Sequence, residues 1–82
     1  MMKDLMNKYI VNESDSMDWA MYSSTFPIQK ADKSSGRDMI NRLNEGTEYM
    51  IIKDYESDKE SELSIIVKDR DDYYFVTDAQ NK

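Results

Sequence analysis

Carboxylates occupy every second position of one short stretch, DYESDKESE, which covers residues 54–62. In an extended strand, side chains two positions apart lie on one face, roughly 6.7 Å from each other. That spacing is of the same order as the spacing of phosphates along a nucleic-acid strand, so such a row can enter a groove built for phosphates and pair with its Lys and Arg side chains. The candidate contacts are Asp54, Glu56, Asp58, Glu60 and Glu62, with Tyr55 as an aromatic neighbour.

The same stretch has a second interpretation as a solvated hairpin loop. Runs of charge most often form solvated faces, and a hairpin loop of this length is long but ordinary. On this interpretation the acids serve solubility only. Both interpretations stay open from the sequence, although the concentration of net charge in the second half of the chain favours a binding surface.

A second group of acids lies in the segment DRDD, which reads as a tight turn. Asp69, Asp71 and Asp72 belong to it, and Tyr74 follows as an aromatic contact residue beside the turn. Consecutive hairpin turns lie at opposite ends of a meander. The sequence therefore predicts a second acidic patch, separate from the first.

The residues for catalysis or metal binding are missing from the sequence. It contains no His and no Cys, so a His-activated nucleophile and the usual transition-metal ligands are absent. The two acidic segments lack the glycine of a calcium-binding EF-hand loop, and Gly36 and Gly46, the two glycines of the chain, do not make a phosphate-binding loop. We expect no catalytic residues, no cofactor and no metal, and therefore a protein that is not an enzyme.

Length and charge narrow the class of partner. The 82 residues suffice for one small domain, residues 1–82, and the formal net charge is −6. Residues 1–46 carry a net charge of −1 and residues 47–82 a net charge of −5. A negative field repels nucleic acid and membranes and attracts basic proteins. With no apolar run approaching the ~18 residues of a membrane span and no signal-peptide pattern, the sequence predicts a cytoplasmic protein with a basic partner.

The first half of the chain predicts short helices. Apolar residues at spacings of three and four predict a helix over residues 2–10, and residues 11–16 read as a break with Ser14 or Ser16 as the next helix cap. Residues 17–26 favour a short helix, although alternating apolar residues leave a strand open. Its aromatic residues are expected in the core; they are Trp19, Tyr22 and Phe26.

The clearest helix follows a polar connection at residues 27–36. Ser35 is its expected cap, and Gly46 is expected to end it in the left-handed conformation. Its buried stripe consists of Met39, Ile40 and Leu43.

The second half of the chain predicts strands. Residues 47–54, 62–69 and 72–78 are rich in Ile, Val, Tyr and Phe, and their short connections favour an antiparallel meander. The expected fold class is α+β, with short N-terminal helices followed by a three-stranded antiparallel β-meander. Both sheet faces are partly apolar, and one of them would carry Ile52 and Ile66. That face needs the N-terminal segment or a second copy of the chain to cover it, so a homodimer is possible.

In size, charge and lack of catalytic residues, the chain resembles the small acidic proteins with which phages and other mobile elements block host nucleic-acid enzymes. That class includes anti-restriction proteins, anti-CRISPR proteins and other DNA mimics. The resemblance implies an inhibitor that engages a basic groove of a nucleic-acid-binding protein. The alternative is a homo-oligomeric structural or regulatory protein that uses its apolar sheet face.

Overall fold

The computed structural model describes residues 9–59 and 61–78, which form one antiparallel sheet with two short helices. The sheet contains five strands in the order β1-β5-β4-β3-β2. The elements in chain order are β1 (Ile10–Ser14), α1 (Ser16–Ser23), β2 (Gln29–Lys30), α2 (Asp38–Asn41), β3 (Glu48–Glu56), β4 (Ser61–Asp69) and β5 (Asp72–Thr77).

The centre of the sheet is the predicted meander of β3, β4 and β5. All three predicted strands are confirmed to within two residues at each end. Ile65 of β4 lies opposite Ile51 of β3 on one side and Val76 of β5 on the other. This row of branched side chains fits the pleated surface of a sheet that is covered on both faces.

The predicted three-stranded architecture is wrong because two further strands extend the sheet at its edges. β1 pairs with β5 from Ile10 opposite Thr77 to Ser14 opposite Tyr73, where a helix end and a break were expected. The rest of that expected helix, residues 2–8, lies outside the described residues. β2 lies within the predicted connection and pairs with β3. Edge strands are held largely by backbone bonds, so their side chains need no apolar pattern.

One sheet face, here called the core face, carries most of the buried side chains. Its strand residues are Tyr49, Leu63, Ile65, Val67 and Val76. The predicted stripe of Met39, Ile40 and Leu43 packs on them, and each of these three is buried. The stripe is confirmed as buried, but α2 is shorter than the sequence predicts and carries only Met39 and Ile40, while Leu43 lies beyond its end.

The ends of that helix differ from the prediction. α2 begins after Arg37, which makes no side-chain cap, and the Ser35 hydroxyl instead accepts a bond from the Arg37 N–H at 3.1 Å. Gly46 does adopt the expected left-handed conformation, with φ of 89°. It lies in the turn before β3, several residues beyond the last residue of α2.

The opposite face, here called the α1 face, is covered by the chain's own first helix. Met50 and Ile66 on this face are fully buried. On the same face, the rings of Trp19 and Tyr73 contact each other at a tilt of 45° with centroids 5.8 Å apart, and Tyr22 makes an edge-on contact with Phe75 at 6.0 Å. The predicted helix at 17–26 is confirmed over its first part, and its aromatic residues are half-buried.

The cap of α1 is neither of the two serines that the sequence suggested. Asp15 precedes the helix in an extended conformation, and its carboxylate accepts the Asp18 N–H at 3.0 Å. This bond satisfies one of the free N–H groups of the first turn. Neither helix in the described part of the chain is long and apolar enough to cross a membrane.

Candidate partner-binding surfaces

The β3–β4 hairpin projects beyond the rest of the sheet. β5 pairs with β4 from Ser64 onward, and β2 pairs with β3 only at Glu48 and Tyr49. The end of this hairpin, residues 53–59 and 61–62, is here called the hairpin arm. The Asp78 N–H still bonds the Leu63 carbonyl at 2.9 Å, so the purely two-stranded part of the described arm begins where Tyr55 lies opposite Glu62. Residues 53–59 are all exposed. The arm therefore presents its side chains to solvent on two faces.

A β-bulge decides which way the acids of the arm point. Ile51 lies opposite Ile65, but Lys53 lies opposite Ser64, so β3 contains one extra residue between them. The extra residue reverses the alternation of side chains along the strand. After the bulge, Asp54 lies opposite the buried Leu63 and so projects on the core face.

The five acids do not form the single row expected of one extended strand. The chain turns back between Glu56 and Ser61, which lie opposite each other. Glu56 shares the core face with Asp54, whereas Glu62 lies opposite Tyr55 and so projects on the α1 face. Asp58 lies in the exposed turn, and Glu60 lies outside the described residues. Two strand acids therefore retain the expected spacing on one face.

Two acids of the arm already pair with cations of the same chain. Asp54 binds Arg37, with Nη2 and Oδ2 2.8 Å apart, and Glu62 binds Lys53 at 2.9 Å. Both pairs are substantially exposed, and exposed ion pairs contribute only about 0.2–1 kcal/mol. Glu56 and Asp58 form no ion pair with any described residue. The arm thus has free carboxylates and weakly held ones.

A cleft separates the arm from the segment that precedes α2. Arg37, Asp38, Asp54, Glu56 and Asp78 are among its lining residues. In its wall, the Tyr9 hydroxyl donates a hydrogen bond to the Asp38 carboxylate at 2.5 Å. Burial, that hydrogen bond and the negative charge of Asp38 raise the pKa of Tyr9 to about 12. Among the described residues, the charged side chains that line the cleft are mainly acids, of which Asp54 pairs with Arg37 and Asp38 pairs with Arg42 at 2.9 Å.

Raising the pH should destabilise the fold through Tyr9. Its pKa rises from 10.0 to about 12 on folding, so the neutral phenol is favoured in the folded state. The contribution of Tyr9 to the free energy of unfolding is fully present below pH 10 and is lost as the pH rises through about 12. With solvent screening, we expect a loss on the order of 1 kcal/mol, measurable by urea unfolding across this window.

The control is Tyr9→Phe, which cannot titrate. Its free energy of unfolding should fall less steeply than that of the wild type over the same pH window. If the free energy of unfolding falls equally steeply with pH in the wild type and in Tyr9→Phe, Tyr9 does not cause the loss of stability. The other tyrosines and the lysines titrate in both proteins, so their effects on stability cancel in the comparison.

The opposite end of the sheet carries the second acidic group. Asp69 and Asp72 close the β4–β5 turn, and Asp71 lies within it beside Arg70, whose φ is 63°. Asp69 lies eight residues along β4 from Ser61, so this end lies roughly 26 Å from the pair of Glu56 and Ser61 in the arm. The prediction of a separate second patch is therefore consistent with the topology.

Two further acids at this end were missed from the sequence. Glu13 lies opposite Tyr74, and Asp15 follows the end of β1, so both line the same groove as Asp71 and Asp72. The set is here called the turn end and consists of Glu13, Asp15, Asp69, Asp71 and Asp72. Only the pairing of β1 with β5 brings the first two to it.

Tyr74, the predicted aromatic contact, is half-buried beside the turn end. It packs against the core cluster, and Tyr73 points to the α1 face. Partial burial raises the pKa of Tyr74, and the negative charges of Asp72, Asp69 and Glu13 raise it further. Lys68 and Arg70 line the same groove. The groove at the turn end is therefore of mixed charge.

The described residues contain no group of three acidic, His or Cys side chains arranged to hold a metal ion. No protein family model matches the chain, and comparisons with curated proteins and with solved structures give no match.

Proposed function

We propose that this protein is a small acidic binding module that inhibits a nucleic-acid-binding protein by occupying its basic groove. The hairpin arm is the element that enters the groove. The protein acts by binding and not by turnover. A phage or mobile-element inhibitor of restriction or CRISPR enzymes is the type of protein that this activity resembles.

The observation that carries the proposal is the projection of the arm. Seven consecutive residues, 53–59, are exposed, and Asp54, Glu56 and Asp58 are among them. A row of like charges does nothing for the core and weakens the fold slightly by repulsion. A loop that served solubility alone would not need two paired strands to hold its acids in register. The arm therefore supports an interpretation as a recognition element.

The spacing of the acids also suits a groove that binds phosphates. Asp54 and Glu56 lie two positions apart on one face, roughly 6.7 Å from each other. Lys and Arg side chains bind carboxylates and phosphates with the same charge-assisted bonds. The Asp54–Arg37 pair is exposed and weak, so a partner's Arg can replace Arg37 at little cost.

The alternative function, an oligomer through an apolar sheet face, finds less support. The face it needs is the α1 face, where Met50 and Ile66 are already fully buried by the same chain. The homodimer remains a prediction, which a measurement of the molecular mass in solution would test.

The test compares two variants with the same change in charge. The arm-neutral variant is D54N/E56Q/D58N/E60Q/E62Q, and the turn-neutral variant is E13Q/D15N/D69N/D71N/D72N. Asn at position 15 remains a good helix cap. Each variant and the wild type are used to capture proteins from cell lysate, and duplex DNA is then added to release what is bound. Circular dichroism checks the fold of each protein.

We expect the wild type and the turn-neutral variant to capture a nucleic-acid-binding protein that duplex DNA releases. The arm-neutral variant should lose it. If the arm-neutral variant captures the same protein equally well, the arm is a solvated loop and the proposal fails. If only the turn-neutral variant loses the partner, the recognition site lies at the turn end and the arm is not the contact.

A further inference from the structure

β1 forms an open edge of the sheet. β5 pairs with it on one side, and no strand of the described structure pairs with it on the other. Its five residues pair with β5 in an unbroken register, and Ile10, Asn12 and Glu13 are exposed. β1 contains neither Lys, Pro nor a β-bulge, which are the features that commonly block an edge. An edge of this kind can accept a further strand.

The opposite edge of the sheet is better protected. β2 is two residues long and contains Lys30. Beyond β2, the outer strand is β3, which carries the bulge between Ile51 and Lys53. Short strands, lysine and bulges each work against pairing with another chain. Of the two edges, β1 is therefore the one that is open to a regular strand.

One hydrogen bond between β5 and β4 fixes the direction of the backbone groups in β5. The Asp78 N–H bonds the Leu63 carbonyl at 2.9 Å, so residue 78 directs its backbone groups to β4. Along an antiparallel strand these groups point alternately to one neighbour and to the other. Residues 73, 75 and 77 therefore direct their N–H and C=O groups to β1.

The same alternation shows which backbone groups of β1 are left over. The partners of residues 73, 75 and 77 are Ser14, Asn12 and Ile10, which bond β5. The N–H and C=O groups of Val11 and Glu13 therefore point away from the sheet. No described residue forms a backbone hydrogen bond with them. They are the bonding groups that a further strand would use.

A second copy of β1 fits this edge in a register that uses the whole strand. When two copies run antiparallel about a two-fold axis at Asn12, Val11 of each copy lies opposite Glu13 of the other. Each of these pairs can exchange both of its backbone bonds, because both residues direct their groups outward. Ile10 then lies opposite Ser14 on the α1 face. α1 packs on β5 and β3, on the inner side of β1, and does not obstruct the contact.

The backbone, and not charge, selects this occupant. Glu13 lines a groove together with other acids and with the cations Lys68 and Arg70, so the surroundings of the edge are mixed in charge. In the register centred on Asn12, no acid lies directly opposite another. The two Glu13 side chains are diagonal neighbours, roughly 7–8 Å apart. Their repulsion is screened because Glu13 is exposed, so it weakens the pairing without preventing it.

We propose that this protein forms a homodimer in which the β1 strands of two copies pair antiparallel about Asn12 and join the two sheets into one. The contact is small, so we expect a dissociation constant on the order of 0.1–1 mM. At micromolar concentrations the chain is then a monomer. No residue of the hairpin arm takes part, so the dimer does not depend on the function proposed for the arm.

The first test follows the exchange of backbone N–H groups with water by NMR, at protein concentrations from roughly 20 μM to 2 mM. The N–H groups of Val11 and Glu13 should exchange about 2- to 5-fold more slowly at the highest concentration than at the lowest. The N–H of Asn12 bonds β5 in the monomer and should be protected throughout, so it is the internal control. Sedimentation equilibrium over the same range should show the molecular mass rising toward that of a dimer.

The second test compares Glu13→Pro with Glu13→Gln, which remove the same charge. Proline removes an outward N–H that makes no bond to β5, and edge strands tolerate proline at such positions. Glutamine keeps the N–H and removes the repulsion between the two Glu13 side chains. We expect E13P to remain monomeric and E13Q to dimerise at least as tightly as the wild type. Circular dichroism checks both folds, and if E13P is unfolded the exchange of the wild type decides alone.

Three results would overturn the proposal. A monomer mass over the whole concentration range would exclude the dimer. Protection of the Val11 and Glu13 N–H groups at every concentration would show that a segment of the same chain covers this edge. Equal dimerisation of E13P and E13Q, or a dimer in which these two N–H groups exchange as in the monomer, would place the contact elsewhere on the surface. None of these results bears on the hairpin arm, whose test uses other variants.

Discussion

Replacing Ile66 with alanine should lower the free energy of unfolding by about 3 kcal/mol. Ile66 is fully buried on the α1 face, between Met50 of β3 and Phe75 of β5. Removing part of its side chain loses apolar burial and leaves a cavity under α1. A domain of this size has a stability of only a few kcal/mol, so the variant should be largely unfolded in mild urea.

The measurement is equilibrium unfolding in urea, followed by circular dichroism. The matched control is Ile28→Ala, because Ile28 is 47% exposed and its loss should cost less than about 0.5 kcal/mol. Similar losses for the two variants would contradict the packing described for the α1 face. A stability of the wild type that rises with protein concentration would instead place Ile66 in a contact between copies.

Neutralising the hairpin arm should slow association with the basic partner by roughly 10- to 100-fold at low salt. The five substitutions reduce the formal net charge from −6 to −1. They also remove the carboxylates that the proposed function places in the partner's groove. Steering by charge acts mainly on the association rate, and salt screens it over about 10 Å at 0.1 M.

The association rate is measured by stopped flow or surface plasmon resonance with the partner captured by the wild type. The turn-neutral variant has the same net charge as the arm-neutral one, so it separates a local effect from a global one. We expect it to associate at least several-fold faster than the arm-neutral variant at low salt. Equal rates for the two variants would show that total charge, and not the arm, guides the encounter.

The three central strands could be predicted from the sequence because their runs of apolar, branched and aromatic side chains are typical of buried strands. β3, β4 and β5 lie at the centre of the sheet, so runs of Ile, Val and Tyr are needed on both faces. β1 and β2 lie at the edges and contain few apolar residues. Their place is decided by backbone bonds to β5 and β3, which leave no mark in the order of side chains.

The acidic surfaces could be predicted only in part, because their arrangement also depends on how the strands pair. The sequence locates the charges, but the bulge between Ile51 and Lys53 decides which face of the arm carries Asp54 and Glu56. A bulge shifts the alternation by one residue, and no residue type requires it there. The pairing of β1 likewise adds Glu13 and Asp15 to the turn end, which a reading along the chain cannot detect.

By itself, the sequence determined the acidic character of the chain, the absence of His and Cys, the three central strands and the buried stripe of Met39, Ile40 and Leu43. It favoured a helix at residues 17–26 but left a strand open there. These are properties of composition and of local periodicity. The tertiary structure alone decided the five-stranded order, the covering of the α1 face by α1 and the division of the acids between two faces. These depend on contacts between residues far apart in the chain, whose free energies no local pattern records.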